Sequence, residues 1–398
     1  MSWSFKKINE IGNVVTGKTP STKIANFWNG EYMFVTPSDL DYRQYYCRDT
    51  ERYVSEEARD RMRNQFIPVN SVMFTSIGNT IGKCAISAGD CLTNQQINSI
   101  IANEQNDFKF IYYLLCNNVE RFKNLGGGSA TPIVNKTTFE HIKFKVPNKS
   151  MQRRISSILS AYDDLIENNL RRIKLLEESA RLLYKEWFVR LRFPGYEHTR
   201  IIDGVPEGWE RCKVKDFGRV ITGKTPSTKQ KDNYGGDLPL IKTPDMHGNV
   251  YVIQTETLLT EKGAETQKGK YLPPESILVS CIGTIGIVSL NSEISQFNQQ
   301  INAVIPYDDS YRYYCYFCFK DLKPRLEAIG GGATMNNVNK SKFENIDVLK
   351  PKTMLLKNFN DFCTPLFRQI LRLSFTNHKL QQARDILLPK LMSGEVEV

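Results

Sequence analysis

Two stretches of this chain have the residue types and spacing to hold a phosphate. Gly12 to Thr19 reads GNVVTGKT and Gly218 to Thr225 reads GRVITGKT, each a match to G-x-x-x-x-G-K-S/T. In a P-loop this pattern follows a buried strand and opens a helix, so that backbone N–H groups, the lysine and the hydroxyl cradle phosphates and magnesium. Neither condition is met. Lys6-Lys7-Ile8-Asn9-Glu10-Ile11 is not a buried strand, and Pro20 and Pro226 push Thr19 and Thr225 away from helical geometry. No acidic partner for magnesium follows on a strand. The pattern instead predicts a tight turn with positive φ at Gly17 and Gly223. Its lysines and hydroxyls would face outward, toward phosphates or toward the domain's own backbone.

Other chemistry finds less support. Cys315-x-x-Cys318 is half of a metal or redox site, but the equivalent positions earlier in the chain are Ile111 and Leu114, so the thiols read as core residues. His141, His198, His247 and His378 form no ligand pattern. There is no HExxH, no GxSxG and no supported pair of catalytic carboxylates. An adenine methyltransferase loop of the Asn/Asp-Pro-Pro-aromatic kind is missing, and Leu272-Pro273-Pro274-Glu275 does not supply one. Pro244-Asp245 lacks the Glu-x-Lys that a restriction-type nuclease needs. The residues describe a binder without its own chemistry.

The binding candidates are basic, amide and aromatic. Net charge is +10, which favours a polyanionic partner, most simply nucleic acid. In the TGKTPST turns the candidates are Lys18, Thr19, Ser21 and Lys23, with Lys224, Thr225, Ser227 and Lys229 in the second copy. The run Asp41-Tyr42-Arg43-Gln44-Tyr45-Tyr46-Cys47-Arg48 interleaves aromatic and basic residues. Tyr42, Arg43, Gln44 and Arg48 are its candidates, since Arg and Gln can read base edges and Tyr and Arg can hold the backbone. Asn79 completes the first set. The matching segment Met246 to Tyr251 contributes His247 and Asn249. An exposed loop of ordinary composition reads equally well. NQQIN (Asn94 to Asn98, and Asn298 to Asn302) occurs twice unchanged and reads as structural rather than base-reading.

These residues sit on a chain that repeats itself. VVTGKTPSTK ending at Lys23 returns as VITGKTPSTK ending at Lys229. SVMFTSIGNTIG from Ser71 returns as SILVSCIGTIG from Ser276. Gly126 to Gly128, then Val134-Asn135-Lys136, Phe139-Glu140 and Pro147, return as Gly330 to Gly332, Val338-Asn339-Lys340, Phe343-Glu344 and Pro351. Residues 24–33 and 39–66 have no close mate in 230–240 and 245–271, as two different recognition surfaces on a shared scaffold would require. Ser71–Ser76 and Ser276–Ile282 read as strands, and Phe108–Phe122 and Tyr311–Leu326 as helices.

Each repeat ends in a heptad helix. Ile155, Leu159, Tyr162, Ile166, Asn169, Ile173, Leu176, Ala180, Leu183 and Trp187 form one seam, on a helix of about 60 Å. The off-seam Asp163, Asp164, Glu177 and Glu178 read as solvated surface. Phe359, Cys363, Leu366, Ile370, Leu373, Asn377, Leu380, Arg384, Leu387 and Leu391 form the second, each 204 residues after its counterpart. Pro365 is expected to kink this helix or delay its start, and Arg384 weakens the seam. If the two helices pair antiparallel about a two-fold axis, Asn169 meets Asn377 and fixes the register. The fold class is α+β: two similar mixed α/β domains, 1–150 and 196–350, with helical spacers 151–195 and 351–398 pairing as an antiparallel coiled coil. Residues 193–208 are turn-rich and read as a linker. With 40% hydrophobic residues, 24% charged, nine cysteines without small-scaffold spacing and no apolar run long enough for a membrane, the chain reads as cytoplasmic, with free thiols.

Taken in order, TGKTPS, SIG(N)TIG, NQQIN and GGG…NK..FE.I resemble the specificity subunit of type I restriction–modification systems. So do ENNLRRIKLLEESARLLYKEWF after the first domain and LQQARDILLPKLMSGEVEV at the end. The resemblance implies two target-recognition domains, each reading one half of a bipartite, asymmetric site in double-stranded DNA. It implies helices that space the half-sites and dock two methyltransferase subunits, with up to two ATP-driven restriction subunits joining. S-adenosylmethionine, ATP and magnesium would bind those partners and not this chain. From the residues alone, a P-loop enzyme acting on nucleic acid and a coiled-coil adaptor without sequence preference stay open. Binding of labelled ATP would single out the first, and indifference between a chosen duplex and random DNA the second.

Overall fold

The computed structural model describes residues 3–42, 44–126, 132–331 and 337–398. The chain divides into two compact units, Met1–Glu167 with Leu380–Val398, and Asn168–Lys379. Each contains one α+β domain and a section of both long helices.

The two domains share a strand order. In the first, Gly12–Thr16, Ile97–Ala102, Val72–Thr75, Cys84–Ser87 and Tyr46–Cys47 lie side by side. In the second, the order is Gly218–Thr222, Ile301–Pro306, Ile277–Ser280, Val288–Asn291 and Tyr251–Val252. The central strands Val72–Thr75, Cys84–Ser87, Ile277–Ser280 and Val288–Asn291 are buried along their length, and polar members such as Ser289 and Asn291 are hydrogen-bonded inside. A smaller sheet is built on Trp28–Val35 in the first domain and on Tyr234–Ile241 in the second.

The segments without a sequence mate nevertheless fold alike. Ser55 caps the helix Glu56–Arg61 through Ala58 N and donates to Asn26 O; Thr260 caps Glu261–Glu265 through Gly263 N and donates to Asp232 O. Each expected core helix is broken in two: Phe108–Asn117 with Val119–Leu125, and Arg312–Asp321 with Lys323–Gly330. The breaks fall at Asn118, whose side chain turns back onto Leu114 O, and just before Pro324.

The first long helix runs Lys149–Tyr184, starting where Asn148 Oδ1 accepts from Met151 N, and closes in a π-helical turn, Lys185–Val189. The second runs Thr353–Ser393 straight through Pro365. The expected delay does not occur. Proline removes the bond to the Asp361 carbonyl, but both residues face solvent, where water replaces that bond.

The helix sections pair antiparallel in each unit. In the second unit, Asn169 Nδ2 donates to Asn377 Oδ1 at 2.8 Å at one end, and Trp187 and Phe188 meet the Phe359 ring at 6.1 and 5.1 Å at the other. The 193–208 segment joins the same core, Phe193 packing on Trp209 at 5.3 Å, so it is anchored rather than slack. In the first unit, Ile155 and Leu159 share a core with Leu388, Leu391 and Met392.

One of the four acids expected at the solvated surface is buried instead. Asp163 lies fully inside the first unit, its side chain 2% exposed, and binds the Arg384 guanidinium, itself 6% exposed. Tyr113 OH donates to the other Asp163 oxygen at 2.5 Å, and Arg384 also bonds Asp385. Burial pushes the Asp163 carboxyl up, and the guanidinium and the tyrosine hydroxyl oppose that shift. Arg384 is thus the partner that lets a carboxylate occupy the helix pair, not a flaw in the seam.

Two outcomes follow for thermal or denaturant unfolding. Arg384→Ala is expected to cost about 3–5 kcal/mol by stranding a buried carboxylate, and adding Asp163→Leu should recover most of it. Asn169→Leu alone is expected to cost about 1–3 kcal/mol by taking the Asn169 donor away from the buried Asn377 Oδ1, whereas Asn169→Leu with Asn377→Leu should be at least as stable as the parent.

Candidate nucleic-acid interface

The TGKTPST turns are stitched to the NQQIN turns by the same bonds in both domains. Thr16 Oγ1 donates to Asn98 Oδ1 at 2.6 Å, across a paired strand position, and Thr222 does the same to Asn302. Gly17 N donates to Ile97 O at 3.1 Å and Gly223 N to Ile301 O at 3.2 Å. Thr19 Oγ1 donates to Gln95 Oε1, and Thr225 Oγ1 to Gln299 Oε1, both at 2.7 Å.

This geometry corrects one expectation and removes the loop that the P-loop alternative needs. The residues between the glycines of the phosphate-like motif form a strand, Gly12–Thr16 or Gly218–Thr222, so no loop exists to wrap a nucleotide. Nor are Gly17 and Gly223 at positive φ. They are required for another reason. A Cβ on Gly17 would fall on the carbonyl oxygens of Thr93 and Asn94, and one on Gly223 on those of Phe297 and Asn298. Glycine here permits close approach of two backbones.

Lys18, Thr19, Ser21 and Lys23 are exposed on the first turn, and Lys224, Ser227 and Lys229 on the second, where Thr225 is half-buried. In the second domain the positive charge is denser than the motif alone indicates. Partial burial, then the neighbouring ammonium groups of Lys340 and Lys224, hold the Lys270 amine below its ordinary value. Comparison of the repeats passes over this third lysine, because Gln65 stands at its counterpart in the first repeat.

The Asp41–Arg48 run is not uniformly exposed. Tyr45 and Cys47 are buried, and Tyr45 stacks near Tyr113 at 6.1 Å. Tyr42 is 48% exposed and donates to Asn79 O at 3.0 Å, which brings these two candidates together, with the Asn79 side chain in solvent. Gln44 is half-buried and used locally, accepting from Asp41 N and donating to Tyr46 O. Arg48 lies over the Tyr46 ring and pairs with Glu167 of the long helix at 3.1 Å. Arg43 lies outside the described residues, as do Gly127, Gly128 and Gly332 of the glycine turns.

In the second domain, His247 and Asn249 flank Gly248 in an exposed turn after the helix Thr243–Met246. Gly248 has φ +72° with open space at its Cβ position. Asn249 donates to Asp245 O, and Ser289 Oγ to Asn249 O. Asp245 Oδ2 accepts from Lys242 N, just as Asp39 Oδ2 accepts from Thr36 N. These aspartates pin the base of each variable loop, which is the structural role of Pro244-Asp245.

The NQQIN side chains divide by role. Asn98 and Asn302 are buried, bonded to Val134 O and Val338 O. Asn94 and Asn298 cap their own turns. Gln95 and Gln299 are exposed. The repeat groups them with their buried neighbours, and their contact with a candidate threonine separates them. Cys315 and Cys318 are buried core residues whose thiols are pushed up by burial, Cys318 to about 12. Among the described residues, no His/Cys/Asp/Glu group could hold a metal ion, and no helix is long and apolar enough to cross a membrane.

Known proteins share this arrangement. A family model described as "Type I restriction modification DNA specificity domain" matches twice, at residues 1–178 and 206–353. The Type I restriction enzyme HindI specificity subunit of Haemophilus influenzae is 32% identical, covering 72% of this chain and 77% of that protein. The MjaIX specificity subunit of Methanocaldococcus jannaschii is 28% identical across 100% of this chain and 94% of its own. A crystal structure of the type I restriction–modification S subunit from M. genitalium has the same fold, with TM-score 0.57 at 15% identity, covering 98% of this chain and 96% of that one. The duplicated match over most of the chain has one meaning: the chain belongs to the type I restriction–modification DNA specificity family, whose members recognise DNA and leave catalysis to partner subunits.

Proposed function

We propose that the two domains read the two unlike halves of one bipartite DNA site. The observation that supports this is a shared frame carrying different exposed loops: identical stitched turns and matching sheets, but Tyr42, Gln44 and Arg48 on one domain where His247 and Asn249 stand on the other. Side chains that differ between the domains set the bases, and the repeated TGKTPST turns hold the backbone. The helix pair docks two methyltransferase subunits, and restriction subunits, up to two, join that assembly. S-adenosylmethionine, ATP and magnesium act on those partners. The complex works in the cytoplasm, where the nine thiols of this chain stay reduced.

The direct test is a loop exchange. Residues 39–66 are replaced by the corresponding segment of a relative, the variant is expressed with its methyltransferase, and modified adenines are mapped across the genome. One half of the modified motif is expected to change and the other to stay; an unaltered motif would refute the assignment. Lys18→Ala or Lys224→Ala is expected to act differently, weakening binding to every sequence alike. Each should reduce the slope of log affinity against log salt by about 1, as read by titrating the complex with labelled duplex at several salt concentrations.

A further inference from the structure

Part of the stitched double turn contributes little to holding it together. The Gly17–Ile97 backbone bond, the Thr16–Asn98 bond and the backbone contact at Gly17 already lock the first turn in place, and their counterparts lock the second. The Thr19–Gln95 and Thr225–Gln299 bonds lie beyond that lock. Both glutamines are exposed, and a hydrogen bond open to water exchanges with solvent at small net gain. Yet both partners recur at the same 2.7 Å separation in the two domains, although residues 39–66 and 245–271 have diverged. In each pair the hydroxyl donates to Oε1, which turns the amide NH2 away from the threonine. That NH2 group has no hydrogen-bond partner among the described residues. Lys18 and Lys224, which precede the two threonines in the chain, are exposed.

We propose that Thr19–Gln95 and Thr225–Gln299 are twin contacts to the DNA sugar–phosphate backbone, one in each half-site. The threonine is a positioning residue that aims the glutamine NH2 at a phosphate, and Lys18 or Lys224 neutralises that phosphate. The inference rests on the DNA reading above. Its reasoning is one of symmetry. Two domains that read unlike sequences cannot discriminate bases with identical side chains in identical geometry, whereas a phosphate looks the same in both half-sites. A neutral amide beside a lysine suits such a contact, giving direction where the lysine gives charge.

The test uses the complete specificity–methyltransferase complex and two duplexes, one carrying the sequence it modifies in cells and one without it. Gln95→Ala with Gln299→Ala is expected to weaken binding to both duplexes by the same factor, about tenfold. The salt slope should stay at the parental value, because a neutral group releases no counterions. Thr19→Val with Thr225→Val should give a smaller loss, again equal for both duplexes. Gln95→Glu with Gln299→Glu keeps an acceptor for each threonine, so the turns stay intact, and it should weaken both complexes more than alanine does. Unchanged binding by the alanine pair overturns the proposal, and so does a loss confined to the specific duplex. If the alanine pair fails to fold, the glutamate pair decides, and unchanged binding there overturns it equally. A parental complex that binds neither duplex would overturn the DNA reading itself, and this inference with it.

Discussion

A helix pair whose seam is wholly apolar can slide by a heptad with little change in buried area, so something other than hydrophobicity must choose the register. Here polar groups inside the pair do so. In the second unit the choice is made by one amide pair, Asn169 with Asn377. In the first it is made by a charge, Asp163, which is tolerable only where Arg384 and Tyr113 reach it together. A slide would bury a carboxylate without its guanidinium. The cost of that error far exceeds the net gain from the correct contact, so these groups act by exclusion rather than by adding stability.

Each domain is also tied to the long helices by a tyrosine and a carboxylate, though not at matching positions. In the first unit Tyr113 bonds Asp163; in the second Tyr316 and Lys320 bond Glu177. The reading loops therefore rest on a frame in which strand register, turn stitching and helix contact are all specified by hydrogen bonds. Such a frame can carry changing loops without being rebuilt, and Ser55 and Thr260 show this at close range: they cap equivalent helices within stretches whose sequences share almost nothing else.

Much of this was legible in the sequence, for physical reasons. Repeats and heptads are periodic, and periodicity survives one-dimensional reading. The failure of the P-loop pattern was legible because proline and a polar lead-in forbid its geometry. What escaped reading depends on partners far away in the chain. Asp163 is adjacent to the seam residue Tyr162, and heptad counting places it outside; only Tyr113 and Arg384, brought in by the fold, make an interior position possible. Gly17 announces that glycine is needed but not whether the cause is φ or crowding, and the crowding atoms belong to Thr93 and Asn94. NQQIN reads as one block, while in each copy only its second side chain, Gln95 or Gln299, is exposed.

The polar triad has a counterpart in the other repeat, and it is apolar. At the offset of 204 residues, Tyr113, Asp163 and Arg384 become Phe317, Phe367 and Ala180, all three buried in the core of the second unit. Whatever ancestral duplication produced the two halves, they have since become chemically complementary copies. A gene that inherited two first halves would set Asp163 against alanine, and one with two second halves would set Arg384 against phenylalanine. Recombination can trade the exposed side chains of the loops, but not the helices or the buried Tyr45, which packs near Tyr113. Heritable variation is thereby channelled into the variable loops, and the ancestral symmetric form is closed off by three side chains.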